Sequence, residues 1–258
     1  MTTPRIYFPR ISEEDNTVEL REENLRYIKN VLRLKKGDHL ILFDGTRFEY
    51  ETVIRDIRTH YISLEIILRE SIRFPDINIT LAQSLIKSAK MDFIIQKTTE
   101  LGVTRIIPFV SSRSIPKLSE NKSSARVSRW RKIAVETSRQ CRRAIIPEIT
   151  DIISFDEMLK LPGENDLRIF FWEEEFDRGL KKILRDENWK GTNNFFLVVG
   201  PEGGFSREEA EKAKKNTFLS ATLGKYILRA ETAPLTILSI LQYERGVLNS
   251  SGEREKTE

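Results

Sequence analysis

One cysteine, Cys141, and two histidines, His39 and His60, are all that 258 residues offer of those two side chains. A lone cysteine closes no disulfide within the chain, which fits a reducing compartment. Three such residues cannot furnish a Cys/His zinc site, and no metal is expected. Long apolar runs are also missing: nothing approaches the roughly 20 residues needed to cross a bilayer. The first ten residues hold two prolines and charges but no apolar segment of a signal peptide. These absences together lead to the expectation of a cytoplasmic protein with no membrane partner. The run Glu173-Glu174-Glu175 is acidic, yet consecutive carboxylates on one element do not converge on a point, so a solvated surface is expected there.

What is present is an ordinary soluble balance, 39% hydrophobic and 32% charged. The length suits one large domain or two smaller ones. Net charge is only +4, but it is uneven: from Lys122 to Arg143 there are eight basic residues and one acid, Glu136. Such a stripe is the footprint of a nucleic-acid binder, and a solvated helix face explains it equally well.

Residues 1–72 read as β-rich. The runs 39–43, 48–57 and 61–68 carry β-branched and aromatic residues, with turn signals at Lys36-Gly37-Asp38 and Asp44-Gly45. Leu25, Ile28 and Leu32 predict one helix over 22–33. A small barrel-like module with one helix is expected. Arg73-Phe74-Pro75-Asp76 breaks the pattern and suggests a hinge. From Ile77 on, strand and helix alternate. Strands are predicted at 79–85, 104–110, 167–172, 195–199 and 219–223. Helices are predicted at 89–101, closed by Gly102, at 126–140, after the capping box Ser154/Glu157, and over 231–247. This rhythm predicts an α/β domain with a mainly parallel sheet over 73–248, and a frayed polar tail over 249–258.

Two segments carry chemistry. Gly200-Pro201-Glu202-Gly203-Gly204-Phe205-Ser206 follows an apolar strand and precedes a helix announced by Ser206 and Glu209. Its glycines let backbone approach a ligand closely, and in open α/β sheets ligands sit beyond the carboxyl ends of strands. It lacks the Lys-Ser/Thr of the P-loop and the spacing of the dinucleotide fingerprint. The second, Leu223-Gly224-Lys225-Tyr226-Ile227-Leu228-Arg229-Ala230-Glu231-Thr232-Ala233, also leads from strand to helix. Arg229 suits a phosphate or a developing negative charge, and Glu231 and Thr232 stand at the helix start. For each segment alone, a plain strand–turn–helix link or a capped helix serves as well. As a pair, joined by the strand end at Trp172, they would form three walls of one pocket.

These two segments closely resemble the C-terminal signature of the SPOUT methyltransferases, and in particular the RsmE-type ribosomal RNA uridine-N3 methyltransferases. Arg5-Ile6-Tyr7-Phe8 looks like that family's Arg-aromatic start. Val31-Leu32-Arg33-Leu34-Lys35-Lys36-Gly37-Asp38 is similar to its VLRL-x-x-GD segment, and Lys97-Thr98-Thr99-Glu100-Leu101-Gly102-Val103 to its K-x-TELGV helix end. Arg129-Trp130 and Gln140-Cys141-Arg142-Arg143 fall where the family has R-W and Q-S-G-R, the latter with its Ser and Gly replaced. The family's His before VLRL is absent. The likeness runs from about Arg5 to Gly246.

The resemblance implies a PUA-like RNA-binding barrel over 1–72, a knotted α/β methyltransferase domain over 73–248, and a homodimer. A trefoil knot is not derivable from composition or spacing, and the rarity of knots argues against one on general grounds. The implied reaction moves a methyl group from S-adenosylmethionine to uridine N3 of 16S ribosomal RNA. Trp172, Gly200, Pro201, Glu202, Gly203, Leu223, Gly224, Ile227, Leu228 and Thr232 are then candidates to bind the cofactor. Arg229 is the candidate to stabilise charge, and Glu231 or Glu202 to accept the N3 proton. For RNA phosphates the candidates are Arg5, Arg10, Arg33, Arg126, Arg129, Arg139, Arg142 and Arg143. Lys87, Lys90 and Lys97 are further candidates, with a solvated surface the simpler explanation of each. Competing functions are another SPOUT activity such as ribose 2′-O methylation, a non-enzymatic RNA-binding module, and a nucleotide-dependent enzyme with an unusual glycine loop.

Overall fold

Alternation of apolar and polar residues organises the N-terminal sheet. In β2 (Thr17–Leu20), Val18 and Leu20 are buried while Thr17 and Glu19 face water. The same period runs through β3 (His39–Phe43), β4 (Phe48–Ile57) and β5 (Ile62–Ser71). With β1 (Arg5–Tyr7) they form a sheet of order β1-β3-β4-β5-β2, parallel between β1 and β3 and antiparallel elsewhere. Its core gathers Ile6, Leu20, Ile28, Leu40, Leu42, Tyr50, Ile62 and Leu64, each worth ~1.5–3 kcal/mol of apolar burial. The computed structural model describes residues 3–9, 11–72, 77–114, 120–189 and 191–249. The hinge predicted at 73–76, Arg10, and all of the predicted tail except Asn249 lie outside the described residues.

The single helix predicted over 22–33 is instead two pieces: α1 (Glu22–Arg26), then a wider π-helical turn over Tyr27–Leu32. Arg33 ends it in the left-handed region, φ 53°, with its N–H bonded to the Ile28 carbonyl. Leu25, Ile28 and Leu32 satisfy the spacing of either turn, so periodicity over so few residues could not separate them.

The second sheet obeys the pattern of strands buried on both faces. Its strands are β6 (Asn78–Ser84), β7 (Arg105–Val110), β8 (Glu148–Ile149), β9 (Ile153–Ser154), β10 (Leu167–Phe171), β11 (Asn194–Val199) and β12 (Leu219–Ala221). The order is β12-β10-β11-β6-β7-β8, with β9 also on β7, and every pairing is parallel. Near-continuous apolar strands such as Phe195 to Val199 are what an all-parallel sheet requires. One face packs Phe109, Phe155, Phe170, Phe196, Phe205 and Phe218, with the Phe170 and Phe205 rings 4.3 Å apart.

The helices between these strands are α2 (Ser88–Glu100), α3 (Glu120–Gln140), α4 (Phe155–Met158), α5 (Leu180–Leu184) and α6 (Arg207–Lys215), and α7 (Thr232–Glu244) follows the last strand. Both predicted capping boxes form: Ser154 with Glu157 opens α4, and Ser206 with Glu209 opens α6. Gly102 follows α2 at φ +84°, where a Cβ would also meet the Gln242 side chain at 2.5 Å. In α7, Leu238 and Leu241 are fully buried within the chain and Tyr243 is exposed.

The chain divides into two compact units. The first holds the described residues up to Ile72 together with Ser138–Ile146, and the second holds the rest. The segment after α3 therefore clusters with the N-terminal sheet, where Ile145 pairs with Gly45.

Candidate active site

Parallel pairing puts the carboxyl ends of β11, β10 and β12 side by side, with β10 in the middle. Register fixes this: Leu167 pairs with Phe195, and Ile169 with Leu219. Gly200, Trp172 and Thr222 therefore leave one edge of the sheet together, each continuing into a loop. Trp172 stays tied to the strand beyond β10, its N–H bonded to the Ala221 carbonyl at 3.1 Å.

The glycine-rich loop is held from three directions. Gln83, fully buried at the end of β6, donates to the Gly200 carbonyl at 3.3 Å. Arg113, beyond β7, donates to the Gly203 carbonyl at 2.9 Å. The Gly204 N–H closes a turn onto the Pro201 carbonyl at 3.0 Å. Below the loop, buried Glu209 accepts from the Ser112 N–H, the Ser112 hydroxyl and the Ser206 N–H at 2.8–2.9 Å. Phe205 points into the core against Phe170, so the loop has one end in the hydrophobic centre. A loop pinned this way arrives preorganised rather than ordering on binding.

The second loop is more open. Gly224 has φ +118° and empty space where a Cβ would stand. Tyr226 and Ile227 are 73% and 86% exposed, Leu223 and Leu228 are half-buried, and Arg229 is exposed. At its end, the Arg229 carbonyl accepts the N–H groups of Thr232 and Ala233. Glu231 makes no capping bond to the first turn of α7. It turns to Lys90 of α2 instead: Nζ lies 2.9 Å from Glu231 Oε2 and 3.7 Å from Glu202 Oε1. The Lys90 contact holds the Glu231 carboxyl below its ordinary range, with the Lys90 and Arg229 charges adding to the effect. Glu202 and Glu231, named from the sequence as proton acceptors, thus share one cation, and Glu231 is a weakened base.

The acidic run is largely the solvated surface expected, with Glu173 and Glu174 exposed and Glu175 half-buried, and its carboxylates also have local partners. Glu173 lies against Gly204, Glu174 pairs with Arg207 at 3.0 Å, and Glu175 accepts the N–H groups of Asp177 and Arg178. A cavity of about 470 Å³ opens nearby, lined by Trp172, Arg178, Lys182, Arg207, Lys214 and Phe218 among others. Neither glycine-bearing loop contributes to its walls. Among the described residues no cluster of His, Cys, Asp and Glu could hold a metal ion.

The arginines named for RNA separate by environment. Arg5 must be corrected: it is 7% exposed, pairs with Glu49 at 2.7 Å and sits over the Phe43 ring. A guanidinium committed inside the N-terminal sheet does not reach a phosphate. Arg33 and Arg142 are exposed, both with left-handed backbone. Arg129 is exposed and bonds Asp92, while Arg126 is half-buried. Arg139 lies over the Tyr27 ring and donates to its hydroxyl. Arg143 is half-buried, and desolvation lowers its pKa to about 10, so it remains a cation at neutral pH.

Residues 73–242 match the RNA methyltransferase domain family, and residues 20–67 match the RNA methyltransferase PUA domain. The chain is 33% identical over 241 residues to ribosomal RNA small subunit methyltransferase E of Bacillus subtilis, covering 92% of this chain and 93% of that protein. The chain belongs to the ribosomal RNA small subunit methyltransferase E family. Its N-terminal sheet is accordingly PUA-like, as the motifs implied, and its parallel α/β domain is that of a SPOUT RNA methyltransferase. The structure is similar to a methyltransferase E from Neisseria gonorrhoeae bound to S-adenosyl methionine, with TM-score 0.83, 31% identity, and 94% and 98% of the two chains covered. A methyltransferase from Legionella pneumophila in complex with the same cofactor gives TM-score 0.79 and 29% identity over 94% and 98%. For a methyltransferase E family member, the groups that sequence reasoning missed are Gln83, Arg113 and Lys90. Each lies on an element remote in sequence, and only Lys90 had been named at all, as a candidate RNA contact that a solvated surface explains more simply.

Proposed function

We propose that this chain transfers a methyl group from S-adenosylmethionine to N3 of a uridine in small-subunit (16S) ribosomal RNA, releasing S-adenosylhomocysteine. In this reading it acts as a cytoplasmic homodimer, with a PUA-like barrel over 1–72, a trefoil-knotted domain over 73–248 and a tail over 249–258. The observation that carries it is the convergence of three parallel strand ends, with a glycine-bearing loop on each side of Trp172. Similarity to methyltransferase E proteins over nine-tenths of the chain supports it.

The residues suit such a cofactor. Gly203 and Gly224 offer exposed backbone, and no side chain closes the space beside Gly224. The Trp172 indole N–H is buried without a partner among the described residues. Gly200, Pro201, Glu202 and Gly203 would form one wall, and Leu223, Gly224, Ile227, Leu228 and Thr232 the other. When bound, the cofactor supplies an electrophilic methyl group on a sulfonium.

Uridine N3 carries a proton, and its neutral form is a poor nucleophile. Arg229, exposed at the end of the second loop, favours negative charge on the base as it develops. Proton removal by Glu231 or Glu202 depends on that help, because a carboxylate held below its ordinary range is a weak base. Holding donor and acceptor in line is the remaining task, and the pinned loop contributes to it. Arg33, Arg129 and Arg142, all exposed, would hold RNA phosphates. A homodimer would cover the exposed Tyr226, Ile227 and Tyr243.

Calorimetric titration with S-adenosylhomocysteine tests the cofactor assignment. A Cβ at Gly203 already lies 3.4 Å from the Arg113 side chain, so Gly203→Trp crowds the loop. Binding by the wild type that disappears in Gly203→Trp is the expected result. Equal binding by both proteins would move the cofactor elsewhere.

A further inference from the structure

We propose that Lys90 is a positioning residue that ties the two glycine-bearing loops together by sharing its ammonium group between Glu202 and Glu231. This rests on the reading that those loops hold the cofactor.

Three elements distant in sequence meet at this cation. Lys90 lies in the first turn of α2, which is anchored by fully buried Met91, Ile94 and Ile95. Glu202 belongs to the loop after β11, and Glu231 stands immediately before α7. The Nζ contacts are 2.9 Å to Glu231 and 3.7 Å to Glu202, and all three side chains are at most one-third exposed. Of the two, the Lys90–Glu231 pair is the more withdrawn from water, and a partly buried pair is screened less than a fully exposed one. One ammonium can face both carboxylates at once as ion pairs: Glu231 Oε2 receives no well-aligned hydrogen bond among the described residues, so the tie is electrostatic.

The second loop needs such a tie. The first is fixed by Gln83, Arg113 and Glu209, but residues 224–227 are exposed. Among the described residues, Gly224 bonds only locally, to Thr222. The ion pair to Glu231 fastens the far end of this loop to a rigid helix and to the pinned loop at Glu202. Without Lys90, two carboxylates are left facing one site with no shared cation, and their repulsion favours separation of the loops. Paired with Lys90, Glu202 and Glu231 also anchor the cofactor cleft.

The test compares S-adenosylhomocysteine affinity by calorimetry for the wild type, Lys90→Met, Lys90→Arg, Glu231→Gln and Lys90→Met/Glu231→Gln, with thermal melts to establish folding. Lys90→Met should weaken binding about tenfold or more, the scale of coupling between interacting neighbours. Lys90→Arg, which keeps the charge, should recover most of the loss. The double variant should bind no more weakly than Lys90→Met alone, because the second change removes a partner already lost. A purely structural role in α2 would make the two losses multiply. Folded Lys90→Met binding like the wild type, or losses that multiply, overturns the proposal while leaving the cofactor assignment intact. Should Lys90→Met fail to fold, Lys90→Arg and Glu231→Gln decide: Arg binding as poorly as Gln overturns it. If the wild type binds no S-adenosylhomocysteine at all, both the assignment and the tie are wrong.

Discussion

The carboxylate of Glu173 occupies the space that a side chain at Gly204 would fill: a Cβ there would fall 1.6 Å from Glu173 Oε1. Gly204 also has φ +66°, a left-handed conformation that costs other residues ~1–2 kcal/mol. Gly204→Ala should therefore lower stability by about that amount and push Glu173 off the loop. A fall of ~2–8 °C in melting temperature is the expected reading at this chain length. An unchanged melt would mean that the loop relaxes freely.

Buried Glu209 ties the segment after β7 to the start of α6 through three accepted hydrogen bonds. Glu209→Ala leaves those donors behind and removes half of a capping box. We expect a loss of ~2–4 kcal/mol, combining unsatisfied donors with the lost cap. Urea unfolding measures it, and S-adenosylhomocysteine affinity should fall in parallel because the Gly200–Ser206 loop rests on this carboxylate.

Glu231 gives a pH signature. Its folded pKa lies below the ordinary 4.5, chiefly through the Lys90 contact. A depressed carboxyl contributes stability that is fully present above its ordinary value and is lost as pH falls through the folded value. Melting temperatures from pH 7 down to pH 3 should show the Glu231→Gln protein losing less than the wild type in that acid limb. Identical acid limbs would show that the pair adds nothing measurable.

Much of this arrangement was legible in the sequence. The alternating strands, the two capping boxes, the parallel domain and the two loops were readable because each is signalled by local spacing. The adjacency of Trp172 to both loops was readable as a possibility, and strand order then fixed it. The π-helical turn at Tyr27–Leu32 was not, since its apolar spacing matches an ordinary helix. Lys90 looked like an RNA-facing or solvated surface cation because its partners lie more than 100 residues away; Glu173 was rightly read as exposed, but its contact with Gly204 carries no local signal. Arg5 was misplaced for the same reason: a motif arginine carries no sign of whether its charge is spent internally on Glu49.

The two kinds of arginine should separate in experiment. Arg5→Ala breaks a buried pair and should cost ~3–5 kcal/mol of stability in the melt. Arg142→Ala, at an exposed position, should leave the melt nearly unchanged and lower the slope of log affinity for RNA against log salt by about one. A reversed pattern would return Arg5 to the RNA surface.

The most direct measurement is mass spectrometry of nucleosides from undermethylated small ribosomal subunits incubated with this protein and S-adenosylmethionine. We expect 3-methyluridine to appear with the wild type and to fall steeply with Arg229→Ala. A ribose-methylated nucleoside in its place, or no new methylated nucleoside with a protein that binds S-adenosylhomocysteine, would contradict the assignment of uridine N3 as the target.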